Sequence, residues 1–507
     1  MGVAFHFPLL IIFLPMMAAV AMPLVRGAAA ARTITLVVQT MLALLSLGLI
    51  ITLWDAPVSH FTYQMGYFPA PFGNEIRAGM LEAMLSCAFS AVLLFSILGT
   101  KEDLDKDISA SKRYLYYCMV NLLSTSLMAL TFTNDIFTAY VFIEVSTIAA
   151  CSIVVAKETG ETLKATIKYL FLSVMGSGLF LLSISILYSI TGHLLMEPAN
   201  EAIVALMASG EYQFPLTMSI LLLIVSMGVK CALFPFHTWL PDAHSSATTA
   251  SSAILSGLVL KGYVVLLIKF LYRVYGIEAV GALSALPVLF TLGVCAIVAG
   301  SVMACFQTKL KRLIAYSTVG QIGYIFMGMG LGVQSGFTAA SFHIIAHSIT
   351  KSMLFIAAGA LIRAAGSYDI SELTGAGRKD KLAGIAFTAG ALSMAGIPLF
   401  AGFVSKFHLA SAAIYGAQSI WITMPVLAMS TFLSGLYYFP VLVRIYSKPD
   451  NEPEHAKLGI QSFVSFLRPP NLAVNFTFIC LITATVVLGI FFVPLLEALE
   501  AGFLGLG

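Results

Sequence analysis

Stretches of about 20 mostly apolar residues, the length a helix needs to cross a bilayer, recur along this whole chain and set its fold class. Spans are predicted over 5–25, 33–54, 78–98, 113–133, 136–156, 165–190, 215–235, 248–270, 280–304, 314–332, 335–362, 382–410, 419–443 and 472–496. Of 507 residues, 59% are hydrophobic and 10% are charged, which excludes a soluble globular domain. The expectation is an all-α polytopic membrane protein of about 14 transmembrane helices, one membrane domain over 1–507 lying in a lipid bilayer. The net charge of +3 gives no reason to expect nucleic acid. Seven cysteines are scattered without a CxxC pair or a Cys/His cluster, which argues against iron–sulfur or zinc. No cofactor and no metal are expected. No Lys or Arg precedes Arg26, so the first apolar run lacks the basic start of a signal peptide and reads as a retained helix.

Loop charge predicts orientation. Odd-numbered loops, counted from the N-terminus, collect nineteen Lys and Arg, from Arg26 to Arg468. Even loops and helix ends collect Arg77, Lys269 and Arg273. Basic residues mark the cytoplasmic side. Odd loops are therefore expected in the cytoplasm and both termini outside, in the cell membrane of a prokaryote. The segment 197–212 is short and mixed, hence interfacial. Loop 444–471 holds Pro449, Pro453, Pro469 and Pro470 and should be irregular.

Two spans look broken near mid-membrane. The seventh meets Pro235 and Pro241 just after Lys230; the twelfth carries Gly396, Pro398 and Gly402 just before Lys406. Proline removes a backbone donor and clashes with the preceding turn. Irregular backbone at that depth survives only where protein or water satisfies it. Breaks at corresponding places in two halves point to inverted repeats and ion sites. The candidate repeats are the fourth to eighth spans (113–275) and the ninth to thirteenth (276–446). Three helices precede them (1–112), and a loop with a last helix follows (447–507).

Five lysines sit inside otherwise apolar spans: Lys168, Lys230, Lys261, Lys351 and Lys406. Each lysine at a helix centre costs roughly 2.5 to 3.5 kcal/mol, so each needs pairing or water. Moving charge through the membrane is the favoured reason to keep them. Glu144 on the fifth span and Lys230 on the seventh hold both charges if close, and at least one becomes neutral if they part. Such a pair can gate a proton; the alternative is a static ion pair that fixes packing. Lys261, flanked by small residues with room for water, is a relay candidate. His343, His347 and Lys351 recur every four residues and fan over about 80° of one helix face. Imidazole titrates near neutrality, which suits a relay; His-x3-His alone also admits a metal, but no carboxylate or cysteine joins the stripe. Lys406 follows the twelfth-span break, where a proton could leave or arrive. Lys168 either functions or snorkels to the surface. Glu82 reads as structural. His237, Asp242 and His244 either hydrate a half-channel mouth or cap the broken helix. Lys309, Lys311 and Arg312 read as topology charges. No GxGxxG, P-loop, GxSxG or HExxH is present.

Four strings also carry a resemblance: VKCALFPFHTWLPDAHSSA (229–247), LKRLIAYSTVGQIGYI (310–325), HIIAHSITKSMLF (343–355) and GIPLFAGFVSKF (396–407). Together they resemble the antiporter-like subunits of respiratory complex I, of Mrp-type cation/proton antiporters (the Mrp-D type) and of membrane-bound hydrogenase-type complexes. The resemblance implies two inverted five-helix repeats with broken helices seven and twelve, and proton translocation along a mid-membrane axis. It implies Glu144 and Lys230 as a coupled pair, Lys261 as central relay, His343, His347 and Lys351 on helix eleven, and Lys406 as terminal lysine. Lys406 stands where one complex I subunit typically has glutamate, and the chain stops at Gly507, where the largest such subunit continues into a lateral helix. The GFVSKF string looks most like the Mrp-D type.

The expected function is therefore a proton-translocating subunit of a hetero-oligomeric membrane complex, without a redox centre of its own. It would be coupled to redox chemistry in other subunits, with iron–sulfur or hydrogenase-like peripheral partners, or to sodium exchange as the Mrp-D component of a standalone Mrp-type Na+/H+ antiporter. A quinone-reactive subunit and a purely structural one are the alternatives.

Overall fold

A computed structural model describes residues 3–54, 60–68, 73–416, 420–448 and 471–504. Within them the chain is predominantly helical. The long helices are α1 (Phe7–Val25), α2 (Ala28–Trp54), α3 (Met80–Gly99), α4 (Arg113–Phe132), α5 (Ile136–Val155), α6 (Gly160–Thr191), α7 (Gln213–Lys230) and α8 (Thr249–Tyr275). They continue as α9 (Ala285–Cys305), α10 (Leu310–Gly330), α11 (Gln334–Ala365), α12 (Lys381–Ala395), α13 (Ala401–Tyr415), α14 (Ile420–Tyr446) and α15 (Asn471–Ile490).

Among the described residues, twelve helices are long and apolar enough to cross a membrane. The 21-residue α10 is outside that set because Lys311, Arg312 and Gln321 dilute it. The halves α12 and α13 are 15 residues each, too short singly. A short helix, Met196–Ser209, occupies the segment expected to be interfacial. The expectation of an all-α chain overlooked one element: strands β1 (His60–Gln64) and β2 (Glu75–Gly79) pair antiparallel between α2 and α3. The irregular loop expected over 444–471 has residues 449–470 outside the described residues.

Local chemistry sets several helix ends. Asp135 accepts a hydrogen bond from the Thr138 amide at 2.5 Å and starts α5; Asp380 does the same for Ala383 at 3.1 Å and starts α12. Such caps satisfy amides left over in the first turn. Glu82 acts at the start of α3, where its Oε2 accepts from the Gly79 amide at 3.0 Å. Gly192 and Gly366, at φ +73° and +81°, close α6 and α11 in the left-handed conformation that glycine adopts freely.

Four helix lengths recur in order between residues 113–275 and 276–446. Helices α4, α5, α6 and α8 have 20, 20, 32 and 27 residues; α9, α10, α11 and α14 have 21, 21, 32 and 27. The glycine caps, and the isolated bridges Asp135–Leu195 and Lys309–Asp369, recur at one offset of 174 positions (192 to 366, 135 to 309, 195 to 369).

Helices α8 and α11 are buried along nearly their whole length and form the interior of the bundle. A helix apolar all round belongs there. Helices α9 and α10 touch backbone to backbone. A Cβ placed on Gly293 or Gly300 would collide with the Met327 or Gly320 amide, and one on Gly323 with the Gly293 carbonyl. Small residues of this kind let membrane helices approach closely.

Both predicted breaks are present. After Lys230 the chain turns through Cys231–Pro235, with Ala232 at φ +53°, and resumes as the short helix Trp239–Ser246. Trp239 stacks on Tyr169 with ring centroids 4.1 Å apart, and its indole donates to the Val229 carbonyl at 3.2 Å. Between α12 and α13, Gly396 and Leu399 take φ +84° and +85°, and Ser393 Oγ accepts from the Gly402 amide at 3.2 Å. Protein groups thus meet backbone polar atoms freed by each break, as an apolar interior requires.

Candidate functional site

In the first half, Lys230 is the last residue of α7 and is fully buried. Its Nζ donates to Thr147 Oγ1 at 2.7 Å and lies 5.7 Å from the centre of the Tyr263 ring. The expected pair with Glu144 is not an ion pair in this structure. Glu144 lies on the side of α5 that exposes Phe137, Val141 and Ile148, whereas Thr147 faces inward. Glu144 Oε1 is buried without a hydrogen-bond partner. The Lys230 amine thus ends on the Thr147 hydroxyl and not on the Glu144 carboxylate.

Lys261 is also fully buried and donates to the Ser256 carbonyl of its own helix. That carbonyl is reachable because residues Leu255–Val259 form a π-helical turn. Such turns free backbone groups and are frequent at functional sites.

In the second half, His343, His347 and Lys351 form one buried stripe on α11. The two imidazoles stack, with centroids 5.5 Å apart and planes 15° apart. His343 Nδ1 lies 2.9 Å from Ser405 Oγ, next to Lys406 on α13. Neither ring nitrogen of His347 has a hydrogen-bond partner among the described residues. Lys351 donates to Ser317 Oγ at 2.8 Å and to the Ile314 carbonyl at 3.1 Å, both on α10. Ser317 also accepts from the Tyr437 and Tyr438 hydroxyls of α14, each at 3.1 Å. Lys406 donates to the Ala395 carbonyl and to Thr431 Oγ1, both at 3.1 Å, and lies 5.4 Å from the centre of the Tyr324 ring. Tyr324 in turn donates to Ser430 at 2.6 Å. The stripe is thus tied into a hydroxyl network spanning α10, α11, α13 and α14. At the same offset of 174, α6 carries Tyr169, Ser173 and Ser177 where α11 carries His343, His347 and Lys351.

The secondary candidates separate. Asp242 pairs with Lys168 at 2.8 Å and with Arg312 at 3.1 Å, so it clamps the post-break helix between α6 and α10. These three residues line a cavity of about 520 Å³ that also takes in Glu161, Lys164 and Lys309. His237 is buried and stacks against Phe234. His244 is fully buried, stacks on Phe355, and has no hydrogen-bond partner at either ring nitrogen among the described residues.

Sequence reasoning missed several groups. Lys311 is not a solvated topology charge: α10 begins at Leu310, four residues before the predicted 314, and buries Lys311 against the Ala247 carbonyl at 3.1 Å. Lys269 and Arg273, expected as helix-end charges, are buried in the last turns of α8. Lys269 donates to the Thr131 and Thr133 carbonyls at 2.7 and 2.5 Å. Its spacing of eight from Lys261, the same interval that links His343 to Lys351, was the available signal. Tyr324, Tyr437 and Tyr438 gave no signal in a chain rich in apolar aromatics. Among the described residues no cluster of three or more His, Cys, Asp or Glu could hold a metal ion.

A helical bundle apolar outside, with lysines held on hydroxyls and carbonyls and histidines buried inside, defines a polytopic membrane protein of the ion-transport class. Residues 133–434, which enclose Glu144 through Lys406, match the family described as NADH:quinone oxidoreductase/Mrp antiporter, TM, and the chain belongs to that family. It is 31% identical over 455 residues to the N subunit of the NADH-quinone oxidoreductase of Desulforudis audaxviator, covering 88% of each chain. It is 28% identical over 357 residues to the D-type subunit of the Na(+)/H(+) antiporter of Alkalihalophilus pseudofirmus, covering 70% of each. Its fold is like that of a chain in the membrane-bound sulfane sulfur reductase, an archaeal respiratory membrane complex. The TM-score is 0.86 at 24% identity, with 98% of this chain and 97% of that chain covered. The relatives thus include the antiporter-like subunits of both complex I and the Mrp type.

Proposed function

We propose that the chain is the proton-translocating membrane subunit of a larger assembly, relaying protons through Lys230, Lys261, His343, His347, Lys351 and Lys406. Glu144 acts as the group that biases Lys230. One observation carries this reading: Lys230, Lys261 and Lys351 are fully buried, yet among the described residues their hydrogen bonds run to hydroxyls and carbonyls and none to a carboxylate. A static scaffold would neutralise such amines with acids, because an uncompensated buried charge is costly. Amines held only by neutral groups can give up and regain a proton without breaking an ion pair. The cavity beside Lys168 and Asp242 serves as a mouth at one end of the axis.

The bundle is read as fourteen spans, α12 and α13 together forming the twelfth, with the N-terminal helices in 1–112 and two repeats over 113–275 and 276–446. The matched helix lengths and the offset of 174 support the repeats. The basic loops support cytoplasmic odd loops and both termini outside, in a prokaryotic cell membrane. The likeness to the quinone oxidoreductase relative supports coupling to redox partners, and the likeness to the Na(+)/H(+) antiporter relative supports sodium exchange. The proteins that co-purify in mild detergent separate these two: redox subunits for the first, small hydrophobic subunits alone for the second.

The test is pumping in proteoliposomes. Lys230→Ala and Glu144→Ala should each abolish it while the complex still assembles. Wild-type rates in either variant would sink the proposal.

A further inference from the structure

The proposed relay leaves one buried charged cluster unused. It lies at the end of α8 remote from the Lys168–Asp242 cavity. Lys269 is fully buried, and its hydrogen bonds go to the Thr131 and Thr133 carbonyls. It lies eight residues, hence about 12 Å of helix, beyond Lys261. A second π-helical turn, Phe270–Tyr275, starts directly after it, just as the first ends directly before Leu260 and Lys261. Both interior lysines of this helix therefore border a distorted turn, the kind of backbone that recurs at functional sites.

Glu82 of α3 is close enough to Lys269 to interact with it electrostatically. It is 2% exposed. One of its oxygens caps the α3 backbone, and the other, Oε1, is buried without a hydrogen-bond partner among the described residues. Glu82 also interacts with Arg273 and with His60. Those two residues, with Arg77, Glu197 and Asn200, line a cavity of about 690 Å³ between the β1–β2 hairpin and the Met196–Ser209 helix. Two of its lining residues, Val204 and Ala208, are exposed.

We infer that Lys269 and Glu82 form a second port of the relay, through which protons pass between Lys261 and the water of the cavity bounded by His60, Arg273 and Glu197. In the outward step a proton leaves the Lys269 ammonium for the unpartnered Glu82 oxygen through a bridging water, since no direct hydrogen bond joins the two, and is then taken up by cavity water; uptake reverses the order. Arg273 and Arg77 are positioning charges that interact with Glu82. Water bridges Lys261 and Lys269, which are too far apart for direct transfer. The inference rests on the proposed relay and adds an opening at the α8 end, apart from Lys406.

The test uses the assembled complex in proteoliposomes. Lys269→Met and Glu82→Gln should each cut proton pumping at least tenfold, with assembly retained. In a Val204→Cys variant, a charged methanethiosulfonate reagent should cut pumping at least fivefold relative to the same variant untreated. Wild type given the same treatment controls for the native cysteines. Pumping within twofold of wild type in Glu82→Gln, with Lys230→Ala inactive, overturns the port and leaves the relay standing. Pumping in Lys230→Ala as well overturns the relay itself. If Glu82→Gln fails to assemble, complete labelling of Val204→Cys without loss of pumping overturns the port.

Discussion

Replacing Lys351 by methionine separates a relay from a scaffold, because the two roles call for opposite effects on transport and on stability. The substitution removes a buried amine whose presence costs about 2.5–3.5 kcal/mol. It forfeits two hydrogen bonds, to Ser317 and to the Ile314 carbonyl, each worth about 1.5–3 kcal/mol when one partner is charged. Neither acceptor is orphaned. Ser317 still receives Tyr437 and Tyr438, and the Ile314 carbonyl still receives the Thr318 hydroxyl at 3.1 Å. The balance runs from about zero to a loss of about 3.5 kcal/mol. Alanine at the same position adds a cavity, and truncating a side chain of methionine size costs about 2–5 kcal/mol more. Both variants should stop proton pumping in proteoliposomes. Lys351→Ala should lower the melting temperature of the detergent-solubilised complex well below that of Lys351→Met. If Lys351→Met pumps at the wild-type rate, the lysine carries no proton. If it melts as low as Lys351→Ala, the amine is a packing element and the reasoning fails.

Three further outcomes follow from other contacts. Gly300→Ala should destabilise by about 1–3 kcal/mol, the usual cost of overpacking, because its methyl would meet the Gly320 backbone; Gly178→Ala, with nothing within 4 Å, should be neutral or stabilising, and equal melting of the two would contradict the seam. Ser317→Ala leaves two tyrosine hydroxyls and Lys351 short of an acceptor, so pumping should fall and stability should drop by about 1–3 kcal/mol. Asp242→Asn breaks two partly exposed ion pairs worth at most about 1 kcal/mol each, so melting should barely move; a several-fold loss of pumping is expected if that cavity is a mouth of the relay, and unchanged pumping would remove it from the path.

Apolar run length made most of the bundle legible, because a bilayer leaves helices few alternatives. Both breaks were legible from Pro235, Gly396 and Pro398, since few other residues end a helix inside lipid. The hairpin β1–β2 escaped because its two five-residue strands are short beside the apolar spans that flank them, although Gly66, Pro69, Pro71, Gly73 and Asn74 between them are turn-favouring residue types. The direction each helix faces was harder. Helix α5 is apolar on every side, so nothing in its sequence told Glu144 from Thr147 as the residue facing Lys230. Lys269 and Arg273 were misjudged for a related reason: a span read as 248–270 leaves them at its edge, whereas α8 runs on to Tyr275 inside the protein. The register of His343, His347 and Lys351 was readable because three titratable groups on one face of an apolar helix have no packing reason to coincide.

The glycine contacts between α9 and α10 have a mechanical consequence. Two helices whose main chains touch along their length cannot slide or roll against each other without prising the pair apart. They must travel as one plank. Any rearrangement that alters the surroundings of Lys351 or Lys406 has to come from the other side, through α11, the interrupted pair α12 and α13, or α14. The wall that presents Ser317 and Tyr324 keeps its own shape, so the other parts shift relative to it as to a single rigid body.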